Sequence, residues 1–588
     1  MATSPKEFIQ NFTNRTGSVQ LSRTRIIDLG VQFVSVLVPI ILVGIPIIWF
    51  VWASVWSGTP GISGEFSLNA YERIFTNPLI PSMLGNTLIA MFVGTSIALV
   101  IGLTVVVATN KFEIPGTSFI AVLLIVQYIL PSLVLSIGWA LLGGERGLVN
   151  ELLILSGMVE KPVISITNEW GIGLALGVHY AGLVYLLVNG AVANVPRSME
   201  ETARVSGAAP LTVIKRITLS LSFPSIMIAT ILVLASTAQN FSAPLILGLP
   251  SNTYTISTFI YLKVAQFPND FAIASSIGVL LMIFVVLALI AQWYIEGQSE
   301  GYQTIVGRGG SSEQAQFQVS DRAEVAVKGV LTAVGIVVVA PIIYIFATSF
   351  LQRATGFFSN YTVVTLENYH DLFFGVLADT FWSALGNTLF LAIVGSIFTM
   401  LLASIISYTI VKGKTALSEF LDVLVLAPIA IPLIIIGVAY LWFFLSYDIL
   451  GLYGTIWLII IAIASREIVY GTRAVNSSLQ SIGNSLEEAA RLSNANLLTI
   501  MYRIYFPLVK PGFFAGFMIA FIHYFKAFTR PVFLRGPDFH VLSTLLEATY
   551  SHGDTTLAVA IASIMAFFVA SIAIVVEVFT DLSLTELS

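Results

Sequence analysis

The segment SMEETARVSGAAPLTVIKRITLS at 198–220 returns as SLEEAARLSNANLLTIMYRIYFP at 485–507, in register at an offset of 287. Each copy is a charged stretch between long apolar runs. Each opens with S-x-x-E (Ser198…Glu201 and Ser485…Glu488), the spacing of a capping box, and so predicts a short helix beginning at the serine. Small residues follow, Ala203 and Gly207 in one copy and Ala489 and Ala490 in the other, which lets such a helix sit close against another surface. A compact helix present twice suits docking to a twofold partner; a capped surface helix that merely joins two spans would also fit.

The runs on either side set the class of protein. Of 588 residues, 57% are hydrophobic and 10% charged, and mean hydropathy is +0.91. Stretches such as VQFVSVLVPIILVGIPIIWFVWASVW and GNTLIAMFVGTSIALVIGLTVVVAT exceed the ~18 apolar residues that mark a membrane span. Backbone polar groups in lipid must be satisfied within the segment, and runs this long suit helices rather than barrel strands. The sequence therefore predicts an all-α polytopic membrane protein. With no cysteine it has no disulfide or thiolate metal site, and a net charge of −5 gives no reason to expect a nucleic-acid partner. The first 25 residues are polar, so no cleaved signal peptide is expected.

About twelve transmembrane helices are expected, near 27–56, 83–109, 117–142, 171–195, 221–247 and 270–296, then 324–350, 383–411, 417–446, 455–475, 511–533 and 555–579. This divides the chain into a tail at 1–26, a first module at 27–296, a Gly/Ser/Gln-rich linker at 297–323 and a second module at 324–588. With the N-terminus inside, cytoplasmic segments hold 18 of the 27 Lys and Arg residues, including Arg204, Lys111, Lys412 and Arg491, and outer segments hold 7, Arg530 among them. Arg466 and Lys526 fall within spans. That bias predicts N- and C-termini in the cytoplasm and both charged helices on the same side.

The modules are repeats. GNTL occurs at 85–88 and 386–389, an offset of 301, and Tyr71 in SLNAYERIF matches Tyr369 in TLENYHDLFF. From the fourth span the offset is 287 and holds through Pro244 and Pro531, so the first module carries 14 extra residues. They are expected in LGGERGLVNELLILSGMVEKPVISITNEW, on the outer side, as a contact for another protein or a tolerated loop. Each half crosses an even number of times, so the repeat axis runs along the membrane normal.

The repeated segment resembles the E-A-A-x3-G-x9-I-x-L-P motif in membrane subunits of binding-protein-dependent ATP-binding-cassette (ABC) importers. The first copy reads Glu201-Thr202-Ala203…Gly207…Ile217-Thr218-Leu219 with Ser220 in the proline position; the second reads Glu488-Ala489-Ala490…Asn494…Ile504-Tyr505-Phe506-Pro507. The resemblance extends over nearly the whole chain. It implies a type I ABC importer permease with two homologous six-helix halves in a cell membrane. It also implies two copies of an ABC ATPase subunit as partners, an extracytoplasmic substrate-binding protein, and ATP and Mg held by the ATPase with no cofactor in this chain. In that family the segment is the coupling helix, and the residues matching it are Glu201, Ala203, Arg204, Gly207, Glu488, Ala489, Ala490, Arg491 and Asn494. ILPSLVLSIGWALLGGERGLVNELL and FSAPLILGLPSNTYTISTFIY resemble the fused ferric-iron permeases, which makes ferric iron the expected substrate. Related branches handle thiamine, phosphonates, polyamines and sulfate. No G-x-x-x-x-G-K-[ST] occurs, consistent with ATP hydrolysis elsewhere.

A secondary transporter driven by an ion gradient also fits parallel repeats. Glu467 would be its coupling carboxylate, although its neighbour Arg466 could instead pair with it structurally. The five histidines include no i, i+4 pair, and no metal site is expected. At the offset of 287, Ser236 and Gln239 match His523 and Lys526, each pair lying on one helical face at i, i+3. Polar groups within spans face a bundle interior or a wet cavity, so these four are the candidate lining of a translocation path. Lys526 would then favour anionic cargo or a ferric complex carrying anions. Alternatively the lysine snorkels and the others only bond between helices.

Overall fold

Small residues decide which helices touch. A Cβ on Gly177 would stand 2.7 Å from the Gly94 carbonyl oxygen, and one on Gly102 2.7 Å from the Val184 side chain, so Leu79–Lys111 and Glu169–Ala193 lie backbone to backbone. The second module repeats the pair with Ala378–Gly413 and Ile456–Gln480. There the glycine has changed helix: Gly471, matching Val184, faces Ala403, matching Gly102. Lipid tails give helices no hydrophobic drive to associate, so such close approach carries much of the packing.

The structure is a computed structural model that describes residues 23–306, 321–353, 358, 363–413, 416–447, 449–493, 495 and 497–580. Most of the N-terminal tail and the middle of the expected linker lie outside the described residues. What is described is all-helical but for three isolated bridges. By length and composition nine helices among the described residues could cross a membrane, or up to eleven if each of two bent pairs is one span. The remaining expected span, placed at 455–475, is the 25-residue helix Ile456–Gln480, which carries Arg466, Glu467 and Arg473.

The spans placed at 221–247 and 117–142 differ in detail, as do their repeats, and the one placed at 511–533 ends at Phe525 before a separate helix at Thr529–Leu534. The one placed at 221–247 runs instead from Pro210 to Gln239 with a 71° bend, and the chain then folds back through short helices at Pro244–Gly248 and Ile256–Ala265. A ten-residue helix is about 15 Å long, too short to cross. The one placed at 117–142 breaks at Pro131, as its repeat breaks at Pro432 with a 101° bend. Proline forces the preceding residue out of helical conformation, and Leu130 and Ile431 are both extended.

The GNTL motif ties down the folded-back segments. Asn86 donates to the Tyr254 carbonyl at 3.0 Å and Asn387 to that of His540 at 2.9 Å. The Thr87 hydroxyl accepts from the Ile256 amide at 3.0 Å and Thr388 from Leu542 at 2.8 Å. The matched tyrosines are equally repetitive: Tyr71 bonds Ser54 at 3.0 Å, and Tyr369 bonds Ser349 at 2.7 Å.

Each module lends its first helix to the other. The helical run from Arg23 to Ala53 packs on Ala378–Gly413 and Leu433–Ser446, where Tyr440 donates to the Leu42 carbonyl at 2.5 Å and Ser35 bonds Thr409 at 2.7 Å. Reciprocally, Asp321–Ser349 packs on Ser132–Gly143, and a Cβ at Gly138 would meet the Pro341 carbonyl at 2.7 Å.

Candidate functional site

The four residues chosen by the repeat offset, Ser236, Gln239, His523 and Lys526, all line one cavity of ≈ 260 Å³ between the modules. Ser236 and Gln239 come from Phe223–Gln239; His523 lies on Phe506–Phe525, and Lys526 caps that helix. Beyond the ends of these helices, Phe241 and Phe528 occupy matched positions and stack at 5.7 Å with 7° between their planes. Equivalent residues that touch each other must lie at the pseudo-twofold axis, so the cavity sits on that axis.

The wall is electrostatically lopsided. Matched positions hold His179 and Arg466, Tyr180 and Glu467, Ser236 and His523, Gln239 and Lys526. The second module thus supplies Arg466, Glu467 and Lys526 where the first supplies His179, Tyr180 and Gln239. Glu467, 2% exposed, bonds His523 Nδ1 through Oε2 at 2.5 Å, and its Oε1 lies 3.4 Å from Arg530 Nη2. The adjacent Arg466 is not its partner, because consecutive helical residues point apart; its Nη1 reaches the Ile431 carbonyl at 3.5 Å. Lys526 donates to the Ile129 carbonyl at 3.3 Å and lies 5.9 Å over the Tyr128 ring. Arg530, assigned to an outer segment from sequence, is buried at 4% exposure and bonded to Glu467 and the Ile463 carbonyl. Sequence reasoning took up only two of the four matched polar pairs: His179/Arg466 and Tyr180/Glu467 share the offset of 287 that singled out the others.

The first charged helix is Arg197–Val205 and the second Asn484–Leu492. The capping box is absent from the first copy. That helix begins after Pro196, whose fixed φ starts it a residue before Ser198, and no side chain caps it. In the second copy Ser485 likewise follows the helix start at Asn484. Glu201, half exposed, accepts from Arg197 Nε at 2.6 Å. Gly207 has φ +87°, a left-handed turn that glycine adopts freely, and lets the Ala208 amide reach the Ala203 carbonyl at 3.0 Å. The same closing bond joins Ala495 to Ala490 at 3.0 Å. Arg204, Glu488 and Ala489 are exposed, while Ala203 and Ala490 pack inward. Asn494 and the side chain of Arg491 lie outside the described residues.

The buried carboxylate of the motif is the preceding one, which sequence reasoning passed over. Glu200 is 0% exposed, with Lys111 Nζ 2.9 Å from its Oε1 and the Thr218 hydroxyl donating to the same oxygen at 2.6 Å. In the second copy Glu487 accepts from Tyr408 at 3.0 Å and from Tyr505. Lys412, matching Lys111, bonds the Ile482 carbonyl at 2.9 Å. The signal was available: Lys111 and Lys412 share the GNTL offset of 301.

The additional residues of the first module form a hairpin around Leu148–Leu155. Asn150, 1% exposed, organises it by donating to the Gly144 and Ile164 carbonyls at 2.9 and 2.6 Å and accepting from the Val163 and Ile164 amides. Leu155 and Met158 are exposed at 61% and 75%.

Repeated helical modules that exchange helices around a polar axial cavity, each carrying a tethered charged helix, fit a membrane permease. The chain belongs to the family of binding-protein-dependent transport system inner membrane components, which matches residues 118–297 and 400–585, more than half its length. It is a multi-pass permease subunit of an ABC importer with no catalytic domain of its own, and permeases of this family pair with an ATPase and a binding protein. It is similar to the ferric transport system permease protein FbpB of Actinobacillus pleuropneumoniae, 26% identical over 512 residues (85% of this chain, 71% of that one). A putative ferric transport system permease protein FbpB 1 of Haemophilus influenzae is 26% identical over 486 residues (81% and 74%). A putative 2-aminoethylphosphonate transport system permease protein PhnU of Salmonella typhimurium is 25% identical over 254 residues (43% and 87%). Among solved structures, a chain of a bacterial ABC transporter involved in import of the acidic polysaccharide alginate aligns at TM-score 0.36 and 22% identity, covering 45% of this chain and 98% of that one.

Proposed function

We propose that this permease carries ferric iron, with cargo crossing through the axial cavity and force entering through the two charged helices. Two modules, 27–296 and 324–588, joined by a cytoplasmic linker, would each present one such helix to one ATPase subunit, with both chain termini in the cytoplasm. The exposed Glu201 and Glu488 are the side chains offered to the ATPase; Ala203, Gly207 and Ala490 shape the helix, with Arg204, Ala489, Arg491 and Asn494 completing its surface. Ser236, Gln239, His523 and Lys526 line the path. The observation that carries the path is their convergence on one cavity at the pseudo-twofold axis. Similarity to ferric permeases over 85% and 81% of the chain supports iron as the substrate. The test is ATP-dependent uptake of radioactive ferric iron by proteoliposomes containing the permease, its ATPase and its binding protein. Uptake expected for iron and absent without ATP supports the reading; ATP-driven uptake of another solute but not iron overturns the substrate.

A phosphonate is the second reading. The resemblance to a phosphonate permease and the cationic cavity wall favour it, and 2-aminoethylphosphonate uptake in the same vesicles separates the two.

A further inference from the structure

Three cations line the axial cavity, Arg466, Lys526 and Arg530, against one carboxylate, Glu467. That carboxylate is already bonded by His523 and Arg530. Arg466 and Lys526 make no ion pair among the described residues; their hydrogen bonds go to backbone carbonyls, at 3.5 and 3.3 Å, and Lys526 also lies over the Tyr128 ring. Two buried polar atoms of lining residues also lack a protein partner, His179 Nδ1 and Gln239 Oε1. Ser236, Ser242 and Thr529 line the same space. Buried charge of one sign, away from bulk water, is strongly felt by an ion entering it, and repulsion grows with the product of the charges. A bare trivalent metal ion is therefore the least suited occupant and a small oxyanion the best.

We propose that the cavity is an oxyanion subsite that takes a phosphate-, phosphonate- or carboxylate-type group. A metal ion passes only inside an anionic ligand shell. This rests on the reading of the cavity as the path and adds to it the charge class of what passes. Arg466 and Lys526 hold the anion, and Glu467 fixes Arg530 and His523 in the wall.

The chain has no cysteine, so Ser236→Cys gives a single reporter, with Gln239→Cys as a second should the first fail to assemble with the ATPase. The complete permease–ATPase complex is treated with the sulfonatoethyl and the trimethylammonioethyl methanethiosulfonates, nucleotide-free and trapped with ATP and vanadate. Each rate is normalised to that reagent's rate with 2-mercaptoethanol. The sulfonate should be favoured by roughly tenfold or more, and the preference should collapse towards one in R466Q/K526Q. Equal or cation-favoured labelling overturns the oxyanion subsite and leaves the path intact; no labelling by either reagent in any state overturns the path as well. Phosphate and ferric citrate, with citrate alone as control, are then added as competitors of the sulfonate. Slowing by phosphate assigns a free oxyanion, slowing by ferric citrate beyond citrate assigns a metal-borne one, and slowing by neither overturns the subsite.

Discussion

Phe241 and Phe528, 287 residues apart and equivalent in the repeat, stack on each other with 7° between their rings. Both are almost fully buried, at 2% and 5% exposure. They line the cavity beyond the ends of the helices that carry Ser236 and His523. Replacing either with alanine removes the same contact, so the two single variants should raise labelling of Ser236→Cys by similar factors. The double variant should fall short of their product, with a coupling of about 0.5–1.5 kcal/mol for an aromatic pair. Fully multiplicative factors in the labelling cycle would show that the rings do not act as one closure.

The Lys111–Glu200 pair tethers the first charged helix to the end of Leu79–Lys111. Glu200→Ala leaves a lysine that is 1% exposed without its carboxylate, which costs roughly 3–5 kcal/mol. A clear fall in the thermal midpoint of the purified complex is expected. K111M combined with E200L should recover most of that loss, since an apolar pair of similar volume often replaces a buried ion pair at little cost.

Glu201 and Glu488 lie on the open surface. E201Q/E488Q should leave the thermal midpoint of the permease nearly unchanged, because exposed ion pairs contribute about 0–1 kcal/mol. The same variant should lower transport and weaken binding of the ATPase. Normal ATPase binding with normal uptake would remove these two carboxylates from the coupling surface.

The GNTL threonines are matched hydrogen-bond acceptors for the amides of Ile256 and Leu542. T87V and T388V each strand one of these N–H groups, at a cost of about 1–3 kcal/mol. The two sites belong to different modules and share no partner, so the costs should add in a denaturation series.

In the hairpin, exposed Leu155 and Met158 form the apolar face and Asn150 is the frame. L155S/M158S should reduce the ratio of ATPase rates measured with and without the binding protein. N150A should do so more severely, by releasing the loop altogether. An unchanged ratio in L155S/M158S would make the hairpin an ordinary surface loop.

Legibility followed the repeat. Ser236, Gln239, His523 and Lys526 could be singled out from sequence because polar groups within spans face a bundle interior or a wet cavity, and the repeat puts such a pair at the same place in both copies. Helical period alone could not show that Glu200 turns inward and Glu201 outward, since that depends on where Pro196 starts the helix. Nor could a hydropathy pattern distinguish a span ending at 247 from one ending at 239 with a turn back. Both stretches are apolar, and the polar anchor that selects the turn, Asn86, is 168 residues away from its partner Tyr254.

The exchange of first helices has a consequence for the order of synthesis. The helical run ending at Ala53 finds its tightest partner, Leu433–Ser446, about 380 residues downstream, which at ~5–20 residues per second is a wait on the order of 20–80 s. During that time Phe271–Val306 of its own module already packs on it, through Gly278 against Phe50, while the face meant for Leu433–Ser446 rests against lipid with the Leu42 carbonyl not yet met by Tyr440. Lipid is as apolar as the eventual partner, so the wait exposes nothing to water. A ribosome that stops between the modules would leave an incomplete structure, and joining both halves in one polypeptide keeps the awaited helix at high effective concentration from the moment it emerges.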